Sequence, residues 1–173
     1  VSLLTSAGPV AARWVIDASG LRGARLLNAP APRRDDMCAA AQQVCQVLDP
    51  DAARRFCAAN GAKVGDTICF SGIEGGYSVL NIRVELGAHN RVAILTGSIP
   101  ARGHRSGRAI LRDFVHQHPW VGPAIFGGAR AIPLRRPYAR LYRGNIAAIG
   151  EAACQVFAAH GSGVGAGLVA ARL

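Results

Sequence analysis

Residues 145–173 hold the side chains whose types and order could do chemistry: N-I-A-A-I-G-E-A-A-C-Q-V-F-A-A-H-G-S-G-V-G-A-G-L-V-A-A-R-L. An apolar stretch ends at Gly150, an acid follows at once in Glu151, and a helix is expected to begin there. One helix later a glycine-rich turn, His160-Gly161-Ser162-Gly163-Val164-Gly165, opens a second helix. An acid just past the carboxyl end of a strand can accept hydrogen bonds from a ribose-like polyol. A helix start walled by glycine lets a flat ring approach the backbone and sets about half a positive charge against it.

Other chemistries find less support. Lys63, the only lysine, is followed by Val64, so no G-x-x-x-x-G-K-[ST] phosphate loop exists. Around Ser162 the G-x-S-x-G elbow fails, because its first position is His160. Five cysteines (38, 45, 57, 69 and 154) form no C-x-x-C pair, so neither a zinc site nor a disulfide framework is expected. They read as buried or half-buried free thiols of a reducing cytoplasm, the expected location. His104, His116 and His118 read as surface residues. Arg130, Arg135, Arg136, Arg140 and Arg143 fall in a stretch without acids. They read either as a handle for a phosphate or diphosphate, or as a solvated basic face. No catalytic acid or base stands out.

The elements that must position these groups follow from periodicity and capping. Residues 12–18 form a short buried strand closed by Ser19-Gly20, and residues 21–36 a surface connection. Residues 37–48 place apolar side chains at helical spacing (Met37, Ala41, Val44, Val47, Leu48) and predict a helix. A second helix over 52–60 is capped by Asp49-Pro50-Asp51 and ended by Asn60-Gly61. From Thr67 the period becomes two. Strands over 67–71, 77–86 and 91–97, joined by glycine-bearing turns, predict an antiparallel meander with an edge left for a partner. Tyr77, at the head of the middle strand, suits a substrate pocket or the core equally. A helix over 106–116, a Gly/Pro loop over 121–128 and a buried strand over 145–150 complete the chain before two Ala-rich helical pieces. The resulting fold class is mixed α and β: α/β at both ends around an antiparallel sheet.

Gly150-Glu151-Ala152-Ala153 with the turn at 160–165 resembles the second flavin-binding motif of FAD-dependent oxidoreductases, of the geranylgeranyl-reductase-like and aromatic-hydroxylase-like kind. Val15-Ile16-Asp17-Ala18-Ser19-Gly20 is similar to the mid-chain strand by which those enzymes return to the nucleotide-binding sheet. Residues 76–78 and 132–137 sit where they place their substrate sheet and the run before the last motif. The resemblance implies FAD as cofactor, NAD(P)H as electron donor and a small-molecule substrate: isoprenoid, aromatic or carrier-bound acyl. It implies flavin contacts at Ala18, Gly20, Gly150, Glu151, His160, Gly161, Ser162, Gly163 and Val164. Substrate contacts would fall at Tyr77, Arg130, Arg135 and Arg136. Glu151 stands where the family usually has Asp, and His160 lies where it usually has Pro. The G-x-G-x-x-G fingerprint that cradles the pyrophosphate is absent, and the family carries it upstream of this stretch.

By this reading residues 1–27 and 145–173 belong to the FAD-binding domain, and residues 28–144 form the substrate domain. Both ends read as cuts and no secretory signal is expected. The missing N-terminal half would be the partner, and FAD retention by the chain alone would be weak or nil. Composition is compatible: 173 residues, 50% hydrophobic, with mean hydropathy +0.20, suffice for a core. The uncharged run over 152–171 is too rich in Gly and too polar for a membrane span. The net charge of +10 raises the alternative of a basic module for nucleic acid or acidic partners, but nineteen of the twenty basic residues are Arg and aromatics make up only 6%. No specific nucleic-acid contact is expected. An inert truncated product is the remaining alternative.

Overall fold

The computed structural model describes residues 1–157 and 162–172. In chain order the elements are β1 (Ser2–Thr5), β2 (Gly8–Ala11), β3 (Val15–Asp17), β4 (Met37–Val47), α1 (Pro50–Ala59), β5 (Thr67–Ser71), β6 (Ser78–Glu85) and β7 (Arg91–Ser98). They continue with α2 (Gly107–Gln117), β8 (Val121–Pro133), β9 (Tyr142–Arg143), β10 (Ile146–Ala148) and α3 (Val164–Arg172). Short 3-10 turns occupy Arg34–Asp36, Pro100–Arg102 and Gly150–Ala153. The fold is mixed α and β, with antiparallel sheets and one parallel strand pair, as the sequence implies.

The chain divides into two compact units, Val1–Asp36 with Ile132–Leu173, and Met37–Ala131. The middle unit is narrower than the 28–144 segment read from the sequence. Residues on both flanks bond within the terminal unit: Leu134 N to Asp36 O at 2.7 Å, Tyr138 Oη to Pro30 O at 2.5 Å, Tyr138 N to Ala153 O at 3.2 Å, and Ala148 N to Leu141 O at 2.8 Å.

The middle unit is a five-stranded sheet in the order β5-β6-β7-β4-β8, with α1 and α2 packed on one face. The meander β5-β6-β7 is antiparallel throughout. Its free edge at β7 is taken by β4, in the register Ala41↔Thr96, Gln43↔Ile94, Cys45↔Val92. Period-two alternation sends Ile82, Val84, Val92, Ile94 and Cys45 to the helix side, where they join Ala53, Cys57, Leu111, Phe114 and Trp120. Ile82, Val92 and Ile94 are fully buried, each gaining about 1.5–3 kcal/mol from burial.

Two predicted elements are corrected here. Residues 37–48 are a strand. Ala, Met and Gln favour helix locally, but this segment lies between β7 and β8, and each of its faces buries residues: Ala41, Cys45 and Val47 on one, Cys38 and Val44 on the other. Residues 121–128 are the first part of the edge strand β8. Its glycines answer to contact: a Cβ on Gly127 would lie 2.3 Å from Gln42 O, and one on Gly122 2.7 Å from Leu48 Cγ. Pro123 is tolerated because the strand is at the edge.

The helices are fixed by the expected caps. Asp49 accepts from the amides of Asp51 and Ala52 at the start of α1, and Ser106 Oγ accepts from Ala109 N at the start of α2. His118 is half-buried rather than a surface residue. It stacks on Phe114 at 4.1 Å and donates from Nδ1 to the Phe114 carbonyl at 2.7 Å, within an aromatic group that includes Phe56 and Trp120. Four of the five free cysteines are buried and Cys69 is exposed. Burial pushes the thiols of Cys38, Cys45 and Cys57 up, away from thiolate.

In the terminal unit β1 and β2 form a hairpin, and β3, β10 and β9 form a second sheet in the order β3-β10-β9. β3 and β10 are parallel, in the register Val15↔Ile146, Ile16↔Ala147, Asp17↔Ala148. Among the described residues no helix is long and apolar enough to cross a membrane.

Candidate functional site

The parallel pair β3 and β10 brings two of the sequence motifs to one end of a sheet. Beyond Asp17 the chain turns through Ala18-Ser19-Gly20, and beyond Ala148 it turns at Gly150-Glu151. The two ends are tied directly, with Ile149 N donating to Asp17 O at 3.0 Å. In open α/β sheets the crevice past the carboxyl ends of parallel strands is where ligands bind.

Asp17 organises the first turn. Only 4% exposed, its Oδ1 accepts from Ser19 Oγ at 2.5 Å and Ser19 N at 3.1 Å, and its Oδ2 from Leu26 N at 3.0 Å. Burial alone would raise its pKa, but the bonds from Ser19 and the backbone outweigh it and hold the carboxyl below the usual range. Ser19 Oγ in turn accepts from Ala24 N at 2.8 Å. Gly20 has φ +81°, a conformation open to glycine, while Ala18 is exposed.

The second turn departs from the sequence reading. The helix expected after Glu151 is a single 3-10 turn, Gly150–Ala153, ended by Cys154 in the left-handed region at φ 55°. A residue in that conformation cannot continue a right-handed helix, and a turn of four residues has little dipole to offer Glu151. Gln155, read from sequence only as a polar interruption, is the residue that joins the motifs. Its side chain is buried and its Oε1 accepts from Gly150 N at 2.8 Å. A Cβ on Gly163 would stand 3.1 Å from the Gln155 carbonyl, so the glycine-rich turn approaches the same residue closely. Phe157 N donates to Ser162 O at 2.7 Å, and Ser162 Oγ accepts from Val164 N at 3.5 Å where α3 begins. His160 and Gly161 lie outside the described residues.

Of the described candidate flavin residues, Glu151 and Ser162 line cavities, and each lines a different one, while Ala18, Gly20, Gly150, Gly163 and Val164 line neither. Glu151 lines a small one with Asp17, Arg25, Tyr138 and Arg140; at about 10 Å³ it has room for roughly one water. Ser162 lines a groove of about 1540 Å³ with Arg140, Arg143, Tyr142, Phe157 and Gly165. Arg140 borders both. Val164 is exposed at the helix start, outside the groove lining. Among the described residues Gly165 has nothing within 4 Å of where a Cβ would stand, leaving the first turn of α3 open.

The proposed substrate residues fall in both units. In the terminal unit, the Arg135 guanidinium lies over the Tyr138 ring at 4.9 Å, and Arg136 is exposed. Burial, then contact with the Cys154 thiol, pushes Tyr138 up. In the middle unit Arg130 is exposed on β8 and Tyr77 is half-buried, its hydroxyl pushed up by burial. The turn before Tyr77 is clamped by Arg105, whose Nη2 meets Glu74 Oε1 at 2.5 Å and whose Nη1 reaches Asp113. The Arg105 hydrogen bonds hold Glu74 below the usual carboxylate range. His104, read from sequence as a surface residue, is half-buried against Gly76, and its Nδ1 has no partner among the described residues. The sheet face away from the helices carries Ala40, Gln42, Asn81, Ala93 and Gly97 together with the apolar Val44, Val79 and Leu95.

No family model matches the chain, and no curated protein matches it. Solved structures similar in fold include the following two. One is a geranylgeranyl bacteriochlorophyll reductase-like protein from Thermoplasma acidophilum, with TM-score 0.70 and 18% identity over 93% of this chain and 39% of that one. The other is pqsL, a probable FAD-dependent monooxygenase from Pseudomonas aeruginosa, with TM-score 0.56 and 14% identity over 98% of this chain and 47% of that one. This chain thus spans less than half the length of either. What it shares with them is a mixed α and β fold of the kind found in a reductase-like protein and a probable FAD-dependent monooxygenase.

Proposed function

We propose that residues 1–173 form part of an FAD-dependent oxidoreductase, holding the flavin from its ribityl and pyrimidine side. The observation that carries this is the parallel pair β3 and β10. It aligns the Asp17-Ala18-Ser19-Gly20 and Gly150-Glu151 turns at one sheet end, with Gln155 linking the second to the glycine-rich start of α3. The residues fit such a group. A groove of about 1540 Å³ is ample for a large cofactor, and at Gly165 its wall carries no side chain.

When bound, FAD would supply hydride transfer to or from a small organic substrate, with NAD(P)H as the hydride source. The amides at the start of α3, with Gly163 and Gly165 keeping side chains out of the way, would face the pyrimidine edge and favour negative charge there. Glu151 would accept hydrogen bonds from ribityl hydroxyls on its solvent side, since the cavity behind it holds no more than a water. Arg140 and Arg143 would set positive charge beside the groove. Ala18 and Gly20 would keep the neighbouring turn close to the ligand. His160 and Gly161 belong to the same proposal by sequence position alone. Tyr77, Arg130, Arg135 and Arg136 remain candidates for contact with an isoprenoid, aromatic or acyl substrate. The fold does not favour the alternative of a basic binding module.

The test is visible absorbance after mixing with FAD and desalting. It is run on residues 1–173 and on the protein expressed with the coding sequence upstream of Val1. Flavin retained by the longer protein, and weakly or not at all by 1–173, is the expected result. Loss from both would overturn the reading and favour an inert product.

A further inference from the structure

α2 turns one face to the core and the opposite face to solvent. Gly107, Ile110, Leu111 and Phe114 are buried, while Arg108, Arg112 and His116 recur at i, i+4 and i+8 on the outer face, all exposed. At 1.5 Å per residue they form a row about 12 Å long. Folding does not ask for this row. α2 has no acid in its first turn, and Arg108 sits there against the positive end of the helix dipole. Arg108 and Arg112, four residues apart, repel each other. On α1 and the β6–β7 hairpin, by contrast, arginines answer to acids: Arg54 to Asp51 at 2.6 Å and Arg91 to Glu85 at 2.6 Å. The one acid of α2, Asp113, is taken from the side by Arg105 and lies 3.8 Å from Arg112 Nε; Glu74 is held by Arg105 as well. Among the described residues Arg108 has no acidic partner. Arg102, in the turn before α2, is exposed too.

We propose that this row docks an acidic helix of a partner protein, whose Asp or Glu side chains repeat at the same four-residue spacing. A row of cations along one helix meets carboxylates along another as charged rows guide the pairing of coiled-coil helices. Two other polyanions fit less well. A membrane surface calls for apolar side chains beside the charges, and none of the exposed large hydrophobic residues falls between 74 and 124. A single-stranded nucleic acid calls for exposed rings on which bases stack, and the one phenyl ring of α2, Phe114, is buried. The proposal stands on α2 alone and does not depend on the flavin reading.

The experiment titrates residues 1–173 with a synthetic Ala-rich helical peptide bearing Glu at successive i, i+4 positions, followed by amide shifts in NMR. The same peptide with Gln for Glu is the uncharged control. Shifts centred on residues 102–117 and a Kd below about 1 mM are expected. Arg108→Glu combined with Arg112→Glu is expected to weaken binding at least tenfold while keeping or raising the melting midpoint, since glutamate suits a helix start. Arg13→Glu combined with Arg22→Glu makes the same charge change on exposed side chains of the terminal unit and is expected to leave binding within about twofold. Equal losses from the two pairs would overturn the proposal, showing attraction to the +10 charge of the chain at large. Absence of binding, binding unmoved by the α2 pair, or a Gln peptide that binds as tightly would overturn it as well. Tighter binding at the same residues of a single-stranded oligonucleotide, or of phosphatidylglycerol vesicles, would overturn it in favour of that partner.

Discussion

The Gly150 amide donates to Oε1 of Gln155 at 2.8 Å, and the Gln155 amide donates back to the Gly150 carbonyl at 2.9 Å. This reciprocal pair closes the turn that presents Glu151. Replacing Gln155 by Leu keeps most of the volume but leaves the Gly150 amide without an acceptor. The expected cost is about 1–3 kcal/mol, read as a lower denaturation midpoint. An unchanged midpoint would show that the amide finds another partner and that Gln155 does not hold the turn.

Asp17 carries a pH dependence whose sign is fixed. Its folded pKa is depressed, so its bonds to Ser19 and Leu26 stabilise the fold above the unfolded carboxylate value near 4. That stability is lost as pH falls through the folded value. Asp17→Asn should cost about 2 kcal/mol at pH 7 and progressively less below pH 4, seen as converging urea midpoints for the two proteins between pH 6 and 3. Parallel curves would mean that Asp17 does not titrate with folding.

Much of the fold was legible in the sequence, and the exceptions share a cause. The meander β5-β6-β7 alternates cleanly because one face is core, and α1 and α2 announce themselves through Asp49 and Ser106, whose caps are local chemistry. β4 was illegible because Ala, Met and Gln favour helix, while its strand state is imposed by β7 and β8. A Cβ on Gly107 would stand 2.5 Å from Ala39 O, so α2 seats against the backbone of this strand because residue 107 has no side chain. β8 was hidden because glycines demanded by Gln42 and Leu48 look like loop residues. At the candidate site, the order of the residues marks the turn at Gly150-Glu151 and the start of α3. Gln155 could not be read this way, since its role depends on a left-handed Cys154 that no local rule predicts.

Cys154 is fully buried at φ 55°, ψ 32°, a conformation that costs a residue with a Cβ about 1 kcal/mol or more. Cys154→Gly removes that strain and loses the packing of one thiol, two terms of similar size. The expected stability change is within about 1 kcal/mol. Cys154→Val adds a β-branched side chain to the same backbone and should cost more than about 2 kcal/mol. Equal effects of the two substitutions on the melting midpoint would show that side-chain packing, and not the backbone, dominates at this position.

Gly165 and Gly167 separate helix stability from ligand space. Both lie within α3, and among the described residues, apart from the helix's own backbone, neither has an atom within 4 Å of where a Cβ would stand, so alanine at either should stabilise the helix by about 0.5–1 kcal/mol. Only Gly165 lines the groove proposed for the flavin. Gly165→Ala should therefore raise the melting midpoint yet reduce FAD retention in the protein extended upstream of Val1. Gly167→Ala should raise the midpoint and leave retention as it was. On the proposed reading a methyl at 165 would meet the flat ring, whereas one at 167 lies off the groove wall. Equal retention in both variants, with both midpoints raised, would remove the start of α3 from the flavin site.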